Sequence, residues 1–296
     1  MKKMLFVMNP YAGTRKANRY LADMLSIFNR AGYAVITHMT AGPGDGAQVV
    51  EQMAPHVDLV VCCGGDGTLN ETVSGLLLAG LKTPVGYIPS GTTNDFASSL
   101  KLSHNPVQAA QDIVDGQPVA YDVGRFGDRH FCYVASFGAF TKTSYAMPQS
   151  IKNALGHTAY VLGGISELSQ IRDEHIRMEI DGEVIEDDFL FGAICNSTSI
   201  GGILTLPPNR VDMGDGLFEV MLIRAPRHLT EIGDCLLAVQ NQCYNCGMIT
   251  FRSAKSIKIT ASPFLSWTLD GEKADGYTEI TVENLHQAIR IVQRVN

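Results

Sequence analysis

Val60-Val61-Cys62-Cys63-Gly64-Gly65-Asp66-Gly67-Thr68-Leu69-Asn70-Glu71 decides how the first part of this chain folds. The apolar run over Asp58–Cys63 predicts a strand buried on both faces, as in a parallel sheet. The glycines predict a tight turn whose backbone can approach an anion closely. A helix over Asn70–Ala79 follows at once. Its free N–H groups and the positive end of its dipole suit phosphate. Asp66 stands in the turn, where a carboxylate can bind a metal that bridges phosphates. Thr68 and Asn70 can hydrogen-bond the turn or a ligand. The plainer reading is a strand–helix turn that happens to be glycine-rich, and the placement after a buried strand weakens it. No lysine follows, so this is neither a GxGxxG fingerprint nor a GxxxxGK[ST] loop.

Outward from this point, strand and helix signals alternate. Strands are expected at Met4–Met8, Tyr33–His38 and Pro84–Ile88, and helices at Asn18–Arg30 and Gly46–Ala54. That alternation implies βαβ units on a parallel sheet. After about Asp122 hairpin signals take over. Gly127-Asp128 is one, and Asp181-Gly182, between Ile176–Ile180 and Glu183–Ile185, is another. Further strands are expected at Phe189–Cys195, Leu217–Ile223, Ser256–Thr260, Trp267–Leu269, Glu279–Val282 and Ala288–Val292. Two helical stretches, near Ser150–Leu168 and Leu229–Cys246, interrupt them. The expected fold class is an α/β nucleotide-binding domain with a parallel sheet over residues 1–122, followed by an antiparallel β-sandwich domain over 123–296.

Composition narrows the function classes. With 296 residues, 45% hydrophobic and 18% charged, the chain can build two cores. The net charge is −7, with 8 basic against 10 acidic residues up to Asp122 and 15 against 20 beyond it. Neither part is basic, so nucleic acid is not an expected partner. Seven cysteines, two of them adjacent at Cys62 and Cys63, make a poor disulfide framework and suit a reducing compartment. Cys243 and Cys246 form a CxxC pair with no second pair to complete a zinc site, so packing is their expected role. The N-terminus opens directly into a strand-like run and lacks signal-peptide features. No apolar run is of transmembrane length. The expected location is cytoplasmic.

Three more motifs carry chemistry. Ile88-Pro89-Ser90-Gly91-Thr92-Thr93-Asn94-Asp95-Phe96-Ala97 also follows a buried strand, so it falls on the ligand-binding edge of an open α/β sheet. Gly91 and Thr92 can touch a nucleotide there. Asp95 can cap the next helix or hold metal. Met8-Asn9-Pro10-Tyr11-Ala12-Gly13 adds a third loop to that edge, although alone it reads as an Asn-Pro turn. Trp267-Thr268-Leu269-Asp270-Gly271-Glu272 ends a late strand. It reads either as a hairpin turn or as the carboxylate that phosphoryl transfer to an alcohol needs beside the attacking hydroxyl.

In this order the motifs resemble the diacylglycerol kinase catalytic family, which includes bacterial lipid kinases and the sphingosine and ceramide kinases. The matching elements are NPYAG at 9–13, GGDGTLNE at 64–71, PSGTTNDFA at 89–97, DVG at 122–124, DMGDGLFEV at 212–220 and DGE at 270–272. They span essentially the whole chain. The resemblance implies ATP bound in a cleft between the two domains, Mg²⁺, and a lipid alcohol at the membrane surface as acceptor. It implies nucleotide contacts at Asn9, Gly13, Thr40, Gly64, Gly65, Asp66, Gly67, Thr68, Asn70 and Thr92, with Asp95 supporting nucleotide and metal. It makes Glu272 the general base and Asp270 its neighbour. Asp212–Leu217 is similar to a loop that holds a structural Mg²⁺ through the Asp215 carboxylate and the Asp212 and Leu217 carbonyls, with Asp122 in the surrounding water network.

Ala12 departs from the many relatives with Ser, which removes one hydroxyl from the phosphate loop. Tyr145–Leu168 reads as a lipid-facing lid or, with more weight, as an amphipathic helix packed on the sandwich. Edge strands leave room for a homodimer. The expected activity is ATP-dependent lipid phosphorylation from the inner face of the membrane. NAD kinase shares the GGDGT loop and the two-domain plan. A non-catalytic nucleotide or lipid sensor ranks last.

Overall fold

The computed structural model describes residues 1–138, 173–200, 204–242, 244 and 246–294. The chain opens with β1 (Lys2–Met8), a 3-10 turn at Lys16–Tyr20, α1 (Leu21–Arg30), β2 (Tyr33–Met39), α2 (Asp45–Met53), β3 (Leu59–Gly64), α3 (Asp66–Leu78), β4 (Val85–Pro89), α4 (Asp95–Ser99) and α5 (Pro106–Asp115). The four strands run parallel in the order β2-β1-β3-β4.

Side-chain alternation explains why the central strands read as unbroken apolar runs. Leu5, Val7, Val60 and Cys62 pack with Val50 of α2 and with Leu69, Val73 and Leu76 of α3. Phe6, Met8, Val61 and Cys63 pack on the other face with Met24 and Phe28 of α1 and Ala109 and Ile113 of α5. Both faces are covered, so neither parity of residue can be polar.

The chain continues through β5 (Gln117–Phe126), β6 (Arg129–Phe131), β7 (Val134–Gly138), β8 (Glu174–Ile180), β9 (Glu183–Cys195), β10 (Ser199–Ile200), β11 (Leu204–Thr205), β12 (Phe218–Arg224), α6 (Leu229–Gln240), β13 (Ile249–Ala254), β14 (Ser256–Thr260), β15 (Trp267–Leu269), β16 (Glu272–Ala274) and β17 (Glu279–Gln293). These strands pair antiparallel with one another. A second core fills their inner face, where Trp267 lies 4.9 Å from both Phe126 and Phe137, ring centroid to centroid. The result is a mixed sheet, parallel through the early strands, followed by an antiparallel β-sandwich. β17 joins the two parts. It runs antiparallel to β5 and β14, and its end lies parallel to β4 through Ile291 and Val292. The change of pattern at Asp122 falls inside β5.

Several element boundaries differ from expectation. Helix α3 starts at Asp66 rather than Asn70, because Gly65 is extended (φ −89°, ψ −172°) and serves as its N-cap residue. The expected strands at Glu183–Ile185 and Phe189–Cys195 are one strand, β9. Those at Glu279–Val282 and Ala288–Val292 are likewise one strand, β17. An irregularity between Leu285 and Ile289, with Gln287 at φ +48°, interrupts its periodicity. Helix α6 stops at Gln240, so Cys246 lies beyond it. Cys243, the helix near Ser150–Leu168 and the lid reading of Tyr145–Leu168 lie outside the described residues. Among the described residues, no helix is long and apolar enough to cross a membrane.

Candidate active site between two carboxylate-bearing loops

The loops after β1, β3 and β4 meet at one edge of the parallel sheet, backbone to backbone. Asn9 N–H donates to the Cys63 carbonyl (2.9 Å), Ser90 N–H to the Gly64 carbonyl (2.8 Å) and Thr40 N–H to the Met8 carbonyl (2.9 Å). Gly91 is required by this approach, since a Cβ there would stand 2.5 Å from the Gly65 Cα. Gly13 has φ +50°, and a Cβ there would overlap the Ser90 carbonyl oxygen. The first backbone bond of α3 runs from Leu69 N–H to the Gly65 carbonyl. The N–H groups of Asp66, Gly67 and Thr68 therefore precede the helical ladder and sit at the positive end of the dipole. An anion placed there meets three donors at once. Asn9 Nδ2 donates to Thr68 Oγ1 (3.4 Å), and Asn9 Oδ1 accepts from Tyr11 N–H (2.9 Å). Thr92 is exposed at the same edge, whereas Thr40 is buried.

Asp66 makes its side-chain contacts with the second motif. Its buried carboxylate turns toward α4, where it accepts from Asp95 N–H (3.1 Å), Phe96 N–H (3.3 Å) and Thr93 Oγ1 (3.3 Å). The residue before α4, Asn94, makes no side-chain cap. A carboxylate from another loop does this instead and ties the second motif to the first. Burial, then the charges of Asp95 and Asp270, push the Asp66 carboxyl up to about 6; the two backbone donors oppose that. Asp95 is buried too, and its Oδ1 accepts from Ser199 Oγ (2.6 Å), which links α4 to β10.

The raised value has a definite sign. The folded state holds this proton more tightly than the unfolded chain. The stabilisation is full below the ordinary carboxylate pKa and is lost as pH rises through about 6. The difference amounts to about 3 kcal/mol at most. Asp66→Asn is expected to flatten the stability curve between about pH 4 and pH 7, as read by denaturant titration. Unchanged slopes would assign the titration to another group.

The late Asp-Gly-Glu lands on the same edge. Glu272 opens β16 with its side chain 62% exposed. Its Oε1 would lie 2.8 Å from a Cβ on Gly67, so the carboxylate covers the first turn of α3. Arg129 Nη2 is 3.9 Å from Glu272 Oε2. Asp270 is buried at the hairpin turn and faces inward. Its oxygens accept from the N–H groups of Cys132 (2.6 Å), Tyr133 (2.9 Å) and Val134 (3.1 Å) and from Asn70 Nδ2 (2.8 Å). Burial raises its pKa and these donors lower it. Asn70 also donates to the His130 carbonyl (2.9 Å). With both amide hydrogens engaged, Asn70 has none left for a nucleotide. Asn70 Oδ1 accepts from Ser74 Oγ (3.5 Å).

The Asp212–Leu217 loop lies elsewhere, against the irregularity in β17. Asp122, fully buried, accepts from Gly216 N–H (2.7 Å), Gln287 N–H (2.7 Å) and His286 Nδ1 (3.1 Å), so both its oxygens are engaged. Asp212 and Asp215 each accept one local N–H through Oδ1. The Leu217 carbonyl accepts from Asn284 Nδ2 (3.1 Å). Among the described residues no three His, Cys, Asp or Glu side chains converge as metal ligands. The oxygen chemistry nevertheless suits a hard cation. Buried Glu219 Oε2 and Asn284 Oδ1 have no partner. Burial, with the charges of Asp215 and Asp212, pushes the Glu219 carboxyl up to about 8.

Sequence reasoning missed Thr93, Arg129, Ser199 and the amides of Cys132–Val134. Each acts through a contact distant in sequence, and no local pattern marks it. Glu71, at the end of the first motif, faces α2. Its carboxylate takes the Gly44 and Gly46 N–H groups (2.7 and 2.9 Å) and so seats the start of α2 against α3.

Residues 3–126 match the family model described as the diacylglycerol kinase catalytic domain. Residues 136–293 match the one described as the YegS C-terminal NAD kinase beta sandwich-like domain. A protein named diacylglycerol kinase from Bacillus subtilis strain 168 is 30% identical over 294 residues, covering 99% of this chain and 96% of its own length. One of the same name from Staphylococcus aureus strain MRSA252 is 30% identical over 273 residues, covering 92% and 86%. A crystal structure described as a diacylglycerol kinase from Bacillus anthracis strain Sterne superposes with a TM-score of 0.77 at 22% identity, covering 99% of this chain and 97% of that one. This last likeness concerns the fold.

Proposed function

Because the chain belongs to the diacylglycerol kinase family, we propose that it transfers the γ-phosphoryl group of ATP to the hydroxyl of a lipid such as diacylglycerol. One observation carries the reading: the Glu272 carboxylate lies over Gly67, at the helix start where three N–H groups are free. That puts a proton acceptor beside an anion cradle. Mg·ATP enters with its phosphates toward the amides of Asp66, Gly67 and Thr68, and the loops of Asn9–Gly13 and Gly91–Thr92 flank it. Glu272 orients the lipid hydroxyl and takes its proton as the oxygen attacks phosphorus in line. Asp66 acts indirectly, by holding the Thr93–Phe96 loop. The protein contributes mainly positioning and charge stabilisation.

A lipid acceptor places the working enzyme at a membrane surface, and we read it as a cytoplasmic protein acting on the inner face. A divalent cation in the Asp212–Leu217 loop would have a structural role. It would be held by Asp215 and by the Asp212 and Leu217 carbonyls, and it would offset the crowded charge around Glu219. Mg²⁺ is then expected to raise the Tm of the wild type and to have little effect on Asp215→Asn. Equal shifts in both proteins would remove the loop from cation binding.

The model matched by residues 136–293 is described as NAD kinase beta sandwich-like, which sustains NAD kinase as a second reading. Labelled phosphate transfer from ATP to a panel of lipid alcohols in mixed micelles, run beside NAD, separates the two. A phospholipid product with NAD untouched supports the proposal; labelled NAD alone overturns it.

A further inference from the structure

Two site residues bond to each other and join the halves of the site. Asn70 lies about one turn after Gly67 on α3. Asp270 lies two residues before Glu272, at a left-handed position (φ +50°). Asn70 Nδ2 bonds Asp270 Oδ2 at 2.8 Å and the His130 carbonyl at 2.9 Å. Asp270 is held further by three consecutive N–H groups, Cys132 to Val134, and its own N–H donates to the Val134 carbonyl at 2.9 Å. A short, fully bonded path therefore runs from the anion cradle at Gly67, through Asn70 and Asp270, to Glu272.

We propose that Asn70 and Asp270 are a positioning pair that sets the distance between the phosphate cradle of α3 and the carboxylate of Glu272. The proposal rests on the lipid kinase reading for its kinetic consequence, though not for its structural one. Every other acceptor bond of Asp270 comes from its own half of the chain. Asn70 supplies its bond to the parallel-sheet half of the chain. An amide suits the post because it offers two hydrogens to two fixed acceptors without adding charge beside a buried carboxylate. In-line transfer depends steeply on the approach distance, so slack at this tie lowers turnover more than it lowers nucleotide binding.

The test uses Asn70→Ala and Asn70→Asp in the full chain, with two readouts. The first is amide hydrogen exchange without substrate. Asn70→Ala should speed exchange at Cys132–Val134 and Asp270–Glu272 by about tenfold or more, with the β3–β4 core unchanged. Unchanged exchange there overturns the proposal whatever the activity. The second is kinetics with ATP and a lipid alcohol. Asn70→Ala should lower kcat by about 10–100-fold with the KM for ATP little changed. A raised KM at constant kcat would instead make Asn70 a nucleotide contact. Asn70→Asp sets two carboxylates together, which raises their shared titration. Its rate relative to wild type should therefore climb as pH falls from about 8 to about 6, which loss of packing alone would not produce. If exchange loosens as expected while the wild type phosphorylates no lipid, the functional reading fails and the positioning pair stands.

Discussion

Glu272→Gln is expected to lower kcat for phosphoryl transfer by roughly 10²–10⁴-fold while leaving ATP binding almost intact. The substitution keeps the shape of the side chain and removes its capacity to take a proton. The site is 62% exposed, and the Arg129 pairing at 3.9 Å is a loose surface contact. Stability should therefore change by no more than about 0.5 kcal/mol. A single-turnover measurement with saturating ATP isolates the chemical step. The rate of that step should drop, and the Tm should stay with the wild type. Near-normal turnover in a folded Glu272→Gln protein would remove this residue from the base role. The carboxylates of Asp66 and Asp270 are poor substitutes, because backbone donors already engage both.

The sheet edge was legible because its signals are local. An apolar run, two glycines and a helix-forming stretch announce β3, the turn and α3 within a dozen residues. The same holds for β4 and the Ser90–Asp95 loop. Asn105-Pro106 is a helix start of the same local kind: Asn105 Oδ1 caps the Val107 and Gln108 N–H groups of α5, with Pro at the first turn. The direction in which a motif carboxylate turns could not be read. Asp66 looks from its motif like a ligand-facing acid. It turns instead to α4, which lacks a cap of its own. Asn70 and Asp270 are 200 positions apart, and only the packing of β15 beside β7 brings the hairpin turn to α3. The long strand β17 reads as two in the sequence for a related reason. The irregularity opposite Asp122 breaks the two-residue period of β17 without breaking the strand.

Asp270→Ala should show the largest loss of stability of any single substitution in the site. It strips the acceptor from three buried backbone donors and from Asn70 Nδ2. It also leaves a residue with a Cβ at φ +50°, where the side chain no longer offers Asp's local compensation. Unpaired buried donors cost about 1–3 kcal/mol each, and they relax only in part. A total on the order of 4 kcal/mol follows. Removing a buried carboxylate whose pKa is already raised by burial offsets some of this. Asp270→Asn should lie between Ala and wild type. Its Oδ1 can still serve Tyr133 and Val134, but its amide nitrogen would meet the Cys132 N–H and Asn70 Nδ2 as donor against donor. Urea denaturation should rank the proteins wild type, Asn, Ala. Glu272 has kept its side chain in both variants, so lost turnover in either one reports a displaced carboxylate. Should Asp270→Ala match the wild type in stability, the three amides must have found water. The hairpin would then be held by Trp267 and its aromatic neighbours rather than by the carboxylate.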